Sequence, residues 1–187
     1  MNAHNYKIGF AIILCGFAAA TRAADINAGK TRSALCQGCH GVAGVSSSAL
    51  FPSLAGQTGA YLEAQLKKLK TGERDNPTMN SIAKDLSDND VQNLAAYFAS
   101  QPAKSAGGDA ELAKTGKDKV GMCLGCHGDK LQGKGQFPKL SGQHPQYLSK
   151  QLQDFKTGAR KAGPMNAIAQ NLSEDDIKAL AAYLGSL

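Results

Sequence analysis

The sequence of 187 residues contains no tryptophan, and aromatic residues make up only 6% of it. Aromatic side chains supply much of the apolar volume of a small core. This composition therefore supplies little apolar volume for two small cores. Hydrophobic residues nevertheless reach 42%, which is enough to bury a core in a chain of this length. We therefore expect another source of apolar volume inside the fold.

The sequence also lacks an apolar run long enough for a typical membrane-spanning helix. Its N-terminal run covers residues 8–20, whereas crossing a bilayer takes ~20 residues. Lys7 precedes the run and the small residues Ala23 and Ala24 follow it, a pattern typical of a secretory signal. We predict a cleaved signal peptide over residues 1–23, which also removes Cys15, and a periplasmic mature protein. An uncleaved N-terminal anchor is the alternative.

Strongly basic stretches are absent as well. The chain has 21 Lys and Arg against 15 Asp and Glu, a formal net charge of +6, and loss of Lys7 and Arg22 with the signal lowers this value by two. No concentrated basic stripe interleaved with aromatic residues is present, which argues against nucleic-acid binding. A moderately basic protein suits acidic protein partners, and it allows peripheral association with an anionic membrane.

The sequence repeats itself. Cys36, Cys39 and His40 recur 87 positions later, and the offset becomes 86 after one extra residue in the first copy. Between the copies, residues 100–109 (SQPAKSAGGD) have the small, polar composition of a linker. We predict an N-terminal domain over residues 24–103 and a C-terminal domain over residues 104–187, the latter beginning with a short linker. The matched pairs include Phe51 and Phe137, Tyr61 and Tyr147, Met79 and Met165, and Tyr97 and Tyr183.

Apolar residues in each copy recur at helical spacing, and no stretch alternates as a strand would. Ser87 with Asp90, and Ser173 with Asp176, form capping boxes that predict the start of the last helix in each copy. We therefore predict an all-α fold of two tandem domains. The periodic residues are Leu62, Leu66 and Leu69 with Leu148, Leu152 and Phe155, and Val91, Leu94, Ala95 and Phe98 with Ile177, Leu180, Ala181 and Leu184.

Two C-x-x-C-H motifs carry the chemistry, one in each copy. This pattern is that of covalent attachment of haem c, in which both thiols bond to the porphyrin and the histidine ligates the iron. A thioredoxin-like redox pair would require a strand-rich context, and a zinc site would normally bring its cysteine pairs within about 20 residues. We therefore predict two covalently bound haems. The motif residues are Cys36, Cys39 and His40, and Cys123, Cys126 and His127.

The second iron ligand is indicated by elimination among the methionines. Met79 and Met165 occupy equivalent positions after the two motifs, whereas Met122 aligns with Leu35 and is not repeated. A single helical methionine is more often a core residue than a ligand, but two at equivalent positions favour ligation. His144, which aligns with Thr58, is interpreted as an exposed histidine at a loop-to-helix junction, with ligation or proton-coupled redox chemistry as the alternative.

These residues resemble tandem class I cytochromes c, and two such units on an exported chain of this size are similar to cytochrome c4. The resemblance implies that the first and last helices of each domain cross, with Gly29 meeting Tyr97 and Gly116 meeting Tyr183. It also implies that the carbonyl groups of Pro52 and Pro138 accept a hydrogen bond from the axial histidines, fixing their orientation and basicity.

Histidine and methionine ligation favours ferrous iron and leaves no open position for a substrate, so the sequence predicts an electron carrier and not an enzyme. The resemblance implies transfer from a quinol-oxidising cytochrome complex to a terminal oxidase. The alternatives are an electron-transfer subunit of a periplasmic dehydrogenase or a dihaem enzyme. Several lysines are interpreted either as a docking surface or as a solvated helix face, namely Lys67, Lys68, Lys70, Lys156 and Lys161.

Overall fold

The computed structural model describes residue 1 and residues 23–187, so all but the ends of the predicted signal peptide lie outside the described residues. Within this range the fold is helical, as predicted, with only an isolated antiparallel bridge between Lys134 and Phe137. The α-helices are α1 Ile26–Arg32, α2 Gln37–His40, α3 Gly59–Thr71, α4 Pro77–Ala83, α5 Asp88–Ser100, α6 Ala110–Lys119, α7 Gly121–His127, α8 Pro145–Thr157, α9 Pro164–Gln170 and α10 Glu174–Ser186.

The first and last helices of each repeat cross at a glycine. A Cβ atom added to Gly29 of α1 would lie 2.1 Å from the carbonyl oxygen of Asn93 and 2.8 Å from Cβ of Tyr97 in α5. A Cβ atom on Gly116 of α6 would lie 2.1 Å from the carbonyl oxygen of Ala179 and 2.8 Å from Cβ of Tyr183 in α10. Both helix pairs approach so closely that only glycine fits, which confirms the crossing that the resemblance implied.

Each repeat encloses its own hydrophobic cluster. Both clusters combine leucines of the long middle helix with apolar residues of the last helix, as the periodicity predicted. Burying one such side chain contributes roughly 1.5–3 kcal/mol, so each repeat has the core of a small domain. The N-terminal cluster includes Leu62, Leu69, Val91, Leu94 and Phe98, and the C-terminal cluster includes Leu148, Leu172, Ile177, Leu180 and Leu184.

Helix boundaries are set by the same devices in both repeats. The predicted capping boxes of Ser87 with Asp90 and Ser173 with Asp176 begin α5 and α10, and left-handed glycines end α3 and α8. Lys70 Nζ donates to the carbonyl of Leu86 at 2.7 Å, and Lys156 Nζ donates to that of Leu172. These two lysines therefore tie helices together and are not simply part of a solvated face.

The two domains contact each other through equivalent polar residues. Gln57 Nε2 donates to the carbonyl of Lys139 at 3.0 Å, and Gln57 Oε1 accepts from the amide of Lys139 at 2.7 Å. In the opposite direction, Gln143 makes the same two bonds to the backbone of Ser53, both at 2.9 Å. Since Gln57 and Gln143 occupy matching positions of the repeat, the interface is two-fold in character.

His144 lies in this interface, which corrects the interpretation of an exposed histidine. It is only 8% exposed, and its Nε2 lies 3.0 Å from the carbonyl oxygen of Ser46 in the other domain. It does precede α8 as its N-cap residue, so the predicted junction is confirmed. The contact to Ser46 crosses between repeats, and helical periodicity within one repeat does not reveal such a contact.

Across the described part of the chain, every helix is too short or too polar to traverse a bilayer.

Candidate cofactor sites

Each cysteine motif lies on a short helix that ends at its histidine. The amide of His40 donates to the carbonyl of Cys36 at 2.9 Å, so the motif residues lie on one helical turn. In each motif pair the first cysteine is half-buried and the second is exposed. Burial raises the pKa of the Cys36 and Cys123 thiols.

Both motif histidines are held by a proline carbonyl. His40 Nδ1 lies 2.8 Å from the carbonyl oxygen of Pro52, and His127 Nδ1 lies 2.8 Å from that of Pro138. The rings are 7% and 5% exposed. These contacts confirm the hydrogen bonds that the resemblance implied, and they leave Nε2 of each ring as the nitrogen available to iron.

The surroundings of each imidazole favour its neutral form. Burial lowers the pKa of both His40 and His127, although the proline carbonyl acts in the opposite direction. Phe51 stands edge-on to His40 with ring centroids 6.2 Å apart, and Phe137 does the same to His127 at 6.2 Å. A neutral imidazole is the form that binds iron, and the apolar ring beside it suits a porphyrin.

The two methionines lie in the first turn of equivalent short helices. Met79 is in α4, where its amide donates to the Asn76 side chain at 3.0 Å, and Met165 is in α9. Both are half-buried, and Met79 packs against the N-terminal core. Their ligation of iron stays a prediction of the sequence.

An asparagine follows each methionine, and motif reasoning did not single it out. Asn80 Nδ2 donates to the carbonyls of Leu69 and Arg74 at 2.6 and 2.9 Å. Asn166 makes the matching bonds to Phe155 and Arg160 at 2.7 and 2.8 Å. The signal available in the sequence was their identity at matching positions of the repeat.

Comparison with protein-family models assigns the two repeats separately. Residues 113–187 match the family described as cytochrome c. Residues 24–98 match the family described as cytochrome c oxidase, cbb3-type, subunit III. Both halves therefore carry a cytochrome c domain, in agreement with the geometry around His40 and His127.

Relatives extend the match over most of the chain. Cytochrome c4 of Pseudomonas aeruginosa is 40% identical over 181 residues, covering 88% of this chain and 90% of the relative. A thiosulfate dehydrogenase electron acceptor of Stutzerimonas stutzeri is 36% identical, covering 81% of this chain and 78% of the relative.

A solved structure agrees with the fold. The crystal structure of reduced recombinant cytochrome c4 from Pseudomonas stutzeri has a TM-score of 0.83 and 39% identity, and the match covers 88% of this chain and 100% of that one. The paired cysteines, the buried histidines and the repeated proline contacts fit two covalently bound haems c. The chain belongs to the cytochrome c4 family of dihaem electron-carrying cytochromes.

Proposed function

We propose that this protein is a periplasmic one-electron carrier of a respiratory chain, which accepts electrons from a quinol-oxidising cytochrome complex and delivers them to a terminal oxidase. The observation that carries the proposal is the equivalence of the two sites. Both repeats place a buried histidine 2.8 Å from a proline carbonyl and a methionine at a matching position.

The residues of each site have different roles in binding a haem. Cys36 and Cys39 hold the first haem by thioether bonds, and Cys123 and Cys126 hold the second. The Pro52 and Pro138 carbonyls orient the imidazoles and increase their basicity. We assign Met79 and Met165 as the second axial ligands. A haem with histidine and methionine ligands exchanges one electron at a raised potential and has no free coordination position.

The charges of the chain support a protein partner with an acidic surface. Residues 104–187 contain twelve Lys and Arg against eight Asp and Glu, while residues 24–103 contain seven of each. Complementary charges mainly accelerate the encounter of two proteins. Exchange with the oxidase is therefore expected to slow as salt increases, because exposed charges are screened within ~8 Å at physiological ionic strength.

A second candidate is an electron acceptor for a periplasmic dehydrogenase. What favours it is the relative named thiosulfate dehydrogenase electron acceptor, which is 36% identical to this chain. In that role the chain would still carry electrons and would perform no substrate chemistry of its own.

Purification and kinetics separate the two candidates. A free respiratory carrier is expected to elute alone, and membranes of its source should reduce it with quinol as donor and oxidise it with oxygen as acceptor. Co-elution with a dehydrogenase, together with reduction only when that enzyme's substrate is added, would favour the second candidate. Turnover of a small substrate by the isolated protein at ~10 per second would contradict both.

A further inference from the structure

An arginine of the N-terminal domain reaches across the interface between the domains. One guanidinium nitrogen of Arg74 donates to Gln65 Oε1 of its own domain at 3.0 Å. The other donates to the Tyr147 hydroxyl at 3.2 Å and to Gln151 Oε1 at 3.1 Å. The side chain is half-buried. Two of its three hydrogen bonds are therefore made to the other domain.

Arg160 repeats this arrangement in the opposite direction. It donates to Gln151 Oε1 of its own domain at 2.5 Å, and to the Tyr61 hydroxyl and Gln65 Oε1 of the other domain, both at 2.9 Å. Its guanidinium also lies 4.7 Å from the ring centroid of Phe155. The two arginines, two tyrosines and two glutamines form a reciprocal cluster, which we call the arginine brace.

The backbone of each arginine is tied to a methionine helix. The carbonyl of Arg74 accepts a hydrogen bond from Asn80, and Asn80 Oδ1 accepts from the amide of Asn76 at 2.7 Å. Asn80 directly follows Met79. In the C-terminal domain, Asn166 binds the carbonyl of Arg160 and accepts from the amide of Ala162 at 2.8 Å.

These ties matter because the methionine helices are short. Helices α4 and α9 have 7 residues each, and isolated helices of that length are not stable in water. Their position therefore depends on contacts to the rest of the protein. The guanidinium hydrogen bonds of the brace all end on uncharged oxygens, so they depend on geometry more than on ionic strength.

We propose that Arg74 with Asn80, and Arg160 with Asn166, are positioning residues for the axial methionines, and that each domain holds the methionine of the other domain in place through the brace. The inference rests on the proposed ligation of iron by Met79 and Met165. Tyr147 and Tyr61 then help to position a methionine ligand, although each tyrosine lies in the domain opposite to the haem that it influences.

The test uses the full mature protein with both haems and measures displacement of methionine by cyanide. In a Met165→Ala background, the methionine-to-iron charge-transfer band reports only on Met79. Adding Tyr147→Phe removes one hydrogen bond to Arg74, and adding Arg74→Lys removes its fork geometry. We expect the apparent cyanide affinity of the N-terminal haem to rise about 2- to 12-fold, the equivalent of one net hydrogen bond.

Tyr183→Phe is the matched control, because it removes a hydroxyl from the same domain without touching the brace. It should leave the cyanide affinity unchanged. If Tyr147→Phe and Arg74→Lys also leave it unchanged, the positioning role is overturned. An equal rise at the C-terminal haem on adding Tyr147→Phe to a Met79→Ala background would also overturn it, since this indicates general loosening. If Met165→Ala leaves the full charge-transfer band in place, the ligation itself fails.

Discussion

The two domains share the same internal contacts, but they differ in the exposed residues that follow each motif histidine. The proline contact of the histidine, the glycine crossing and the asparagine bonds are repeated to within about 0.1 Å. In contrast, residues 41–51 after the first histidine carry no charge, and Val42 and Leu50 are 76% and 81% exposed. Residues 128–137 of the second domain instead contain Asp129, Lys130 and Lys134. The contacts that hold the site were kept, whereas the surface around it diverged.

The same divergence appears beside the methionines. Asp75 of the first domain occupies the position of Lys161 in the second, and Glu73 occupies that of Ala159. Positive surroundings favour the electron-rich ferrous state. Two sites of one geometry can therefore differ in potential through charges that touch neither haem.

The largest expected effect tests whether the two sites are independent. Replacing Cys36 and Cys39 by alanine should remove one covalent haem, and replacing Cys123 and Cys126 should remove the other. The mass of the intact denatured protein should then fall by one haem in each variant, because thioether bonds survive denaturation. Loss of both haems from either variant would show that one domain cannot assemble without the other.

The next effect compares the two methionines. Met79→Ala and Met165→Ala should each abolish half of the methionine-to-iron charge-transfer absorption and open one site to added ligands. His144→Ala should leave the band intact, because His144 contacts Ser46 in the interface. A full band in both methionine variants would refute the assignment by elimination.

The glycine crossings should be equally intolerant of a methyl group. Gly29→Ala and Gly116→Ala both force a Cβ into a backbone carbonyl, and overpacking of this kind costs about 1–3 kcal/mol in the free energy of unfolding. Gly121→Ala is the control, because its Cβ would meet nothing within 4 Å. Chemical denaturation monitored by circular dichroism measures the difference. Tolerance at only one crossing would break the equivalence of the domains.

The smallest expected effect is the difference in reduction potential that the difference in charge causes between the two haems. At ~15 Å and a water-like dielectric, each unit charge contributes roughly 0.3 kcal/mol, or about 12 mV. The C-terminal haem should therefore have the higher potential by about 50 mV, given four more net positive charges in residues 104–187. Lys161→Asp should lower that potential by about 25 mV, and Asp75→Lys should raise the other by as much. Redox titration beside the methionine variants assigns each wave, and the reverse order would show that the local haem environment outweighs the charge count.

The sequence predicted the main features that lie within one repeat. Local sequence patterns predicted the helices around Leu62 and Leu148, the two capping boxes and the cysteine motifs. Each of these predictions was supported twice, because the pattern occurs in both repeats. The contacts between the two repeats could not be predicted from the sequence. His144 and Arg74 have partners in the other domain that lie 73 or more positions away, and no local period encodes such a pairing.

The lysines illustrate the same limit in a different way. Lys70 and Lys156 lie on the helices beside other lysines, and the sequence pattern treats them alike. In the structure these two bind the carbonyls of Leu86 and Leu172, whereas Lys67 and Lys68 pair with Glu63 and Glu73. Which lysine reaches a carbonyl depends on the path of the chain after the long middle helix. This path is a feature of the tertiary structure.

The chain is expected to carry two electrons on two closed haems, each with its own histidine and methionine ligands. A coulometric titration of the purified protein, followed optically in the presence of carbon monoxide, tests this expectation most directly. Uptake of two electrons per chain is expected, in two one-electron steps, with no carbon monoxide bound to the reduced protein. Uptake of one electron, or stoichiometric binding of carbon monoxide to either reduced haem, would contradict it.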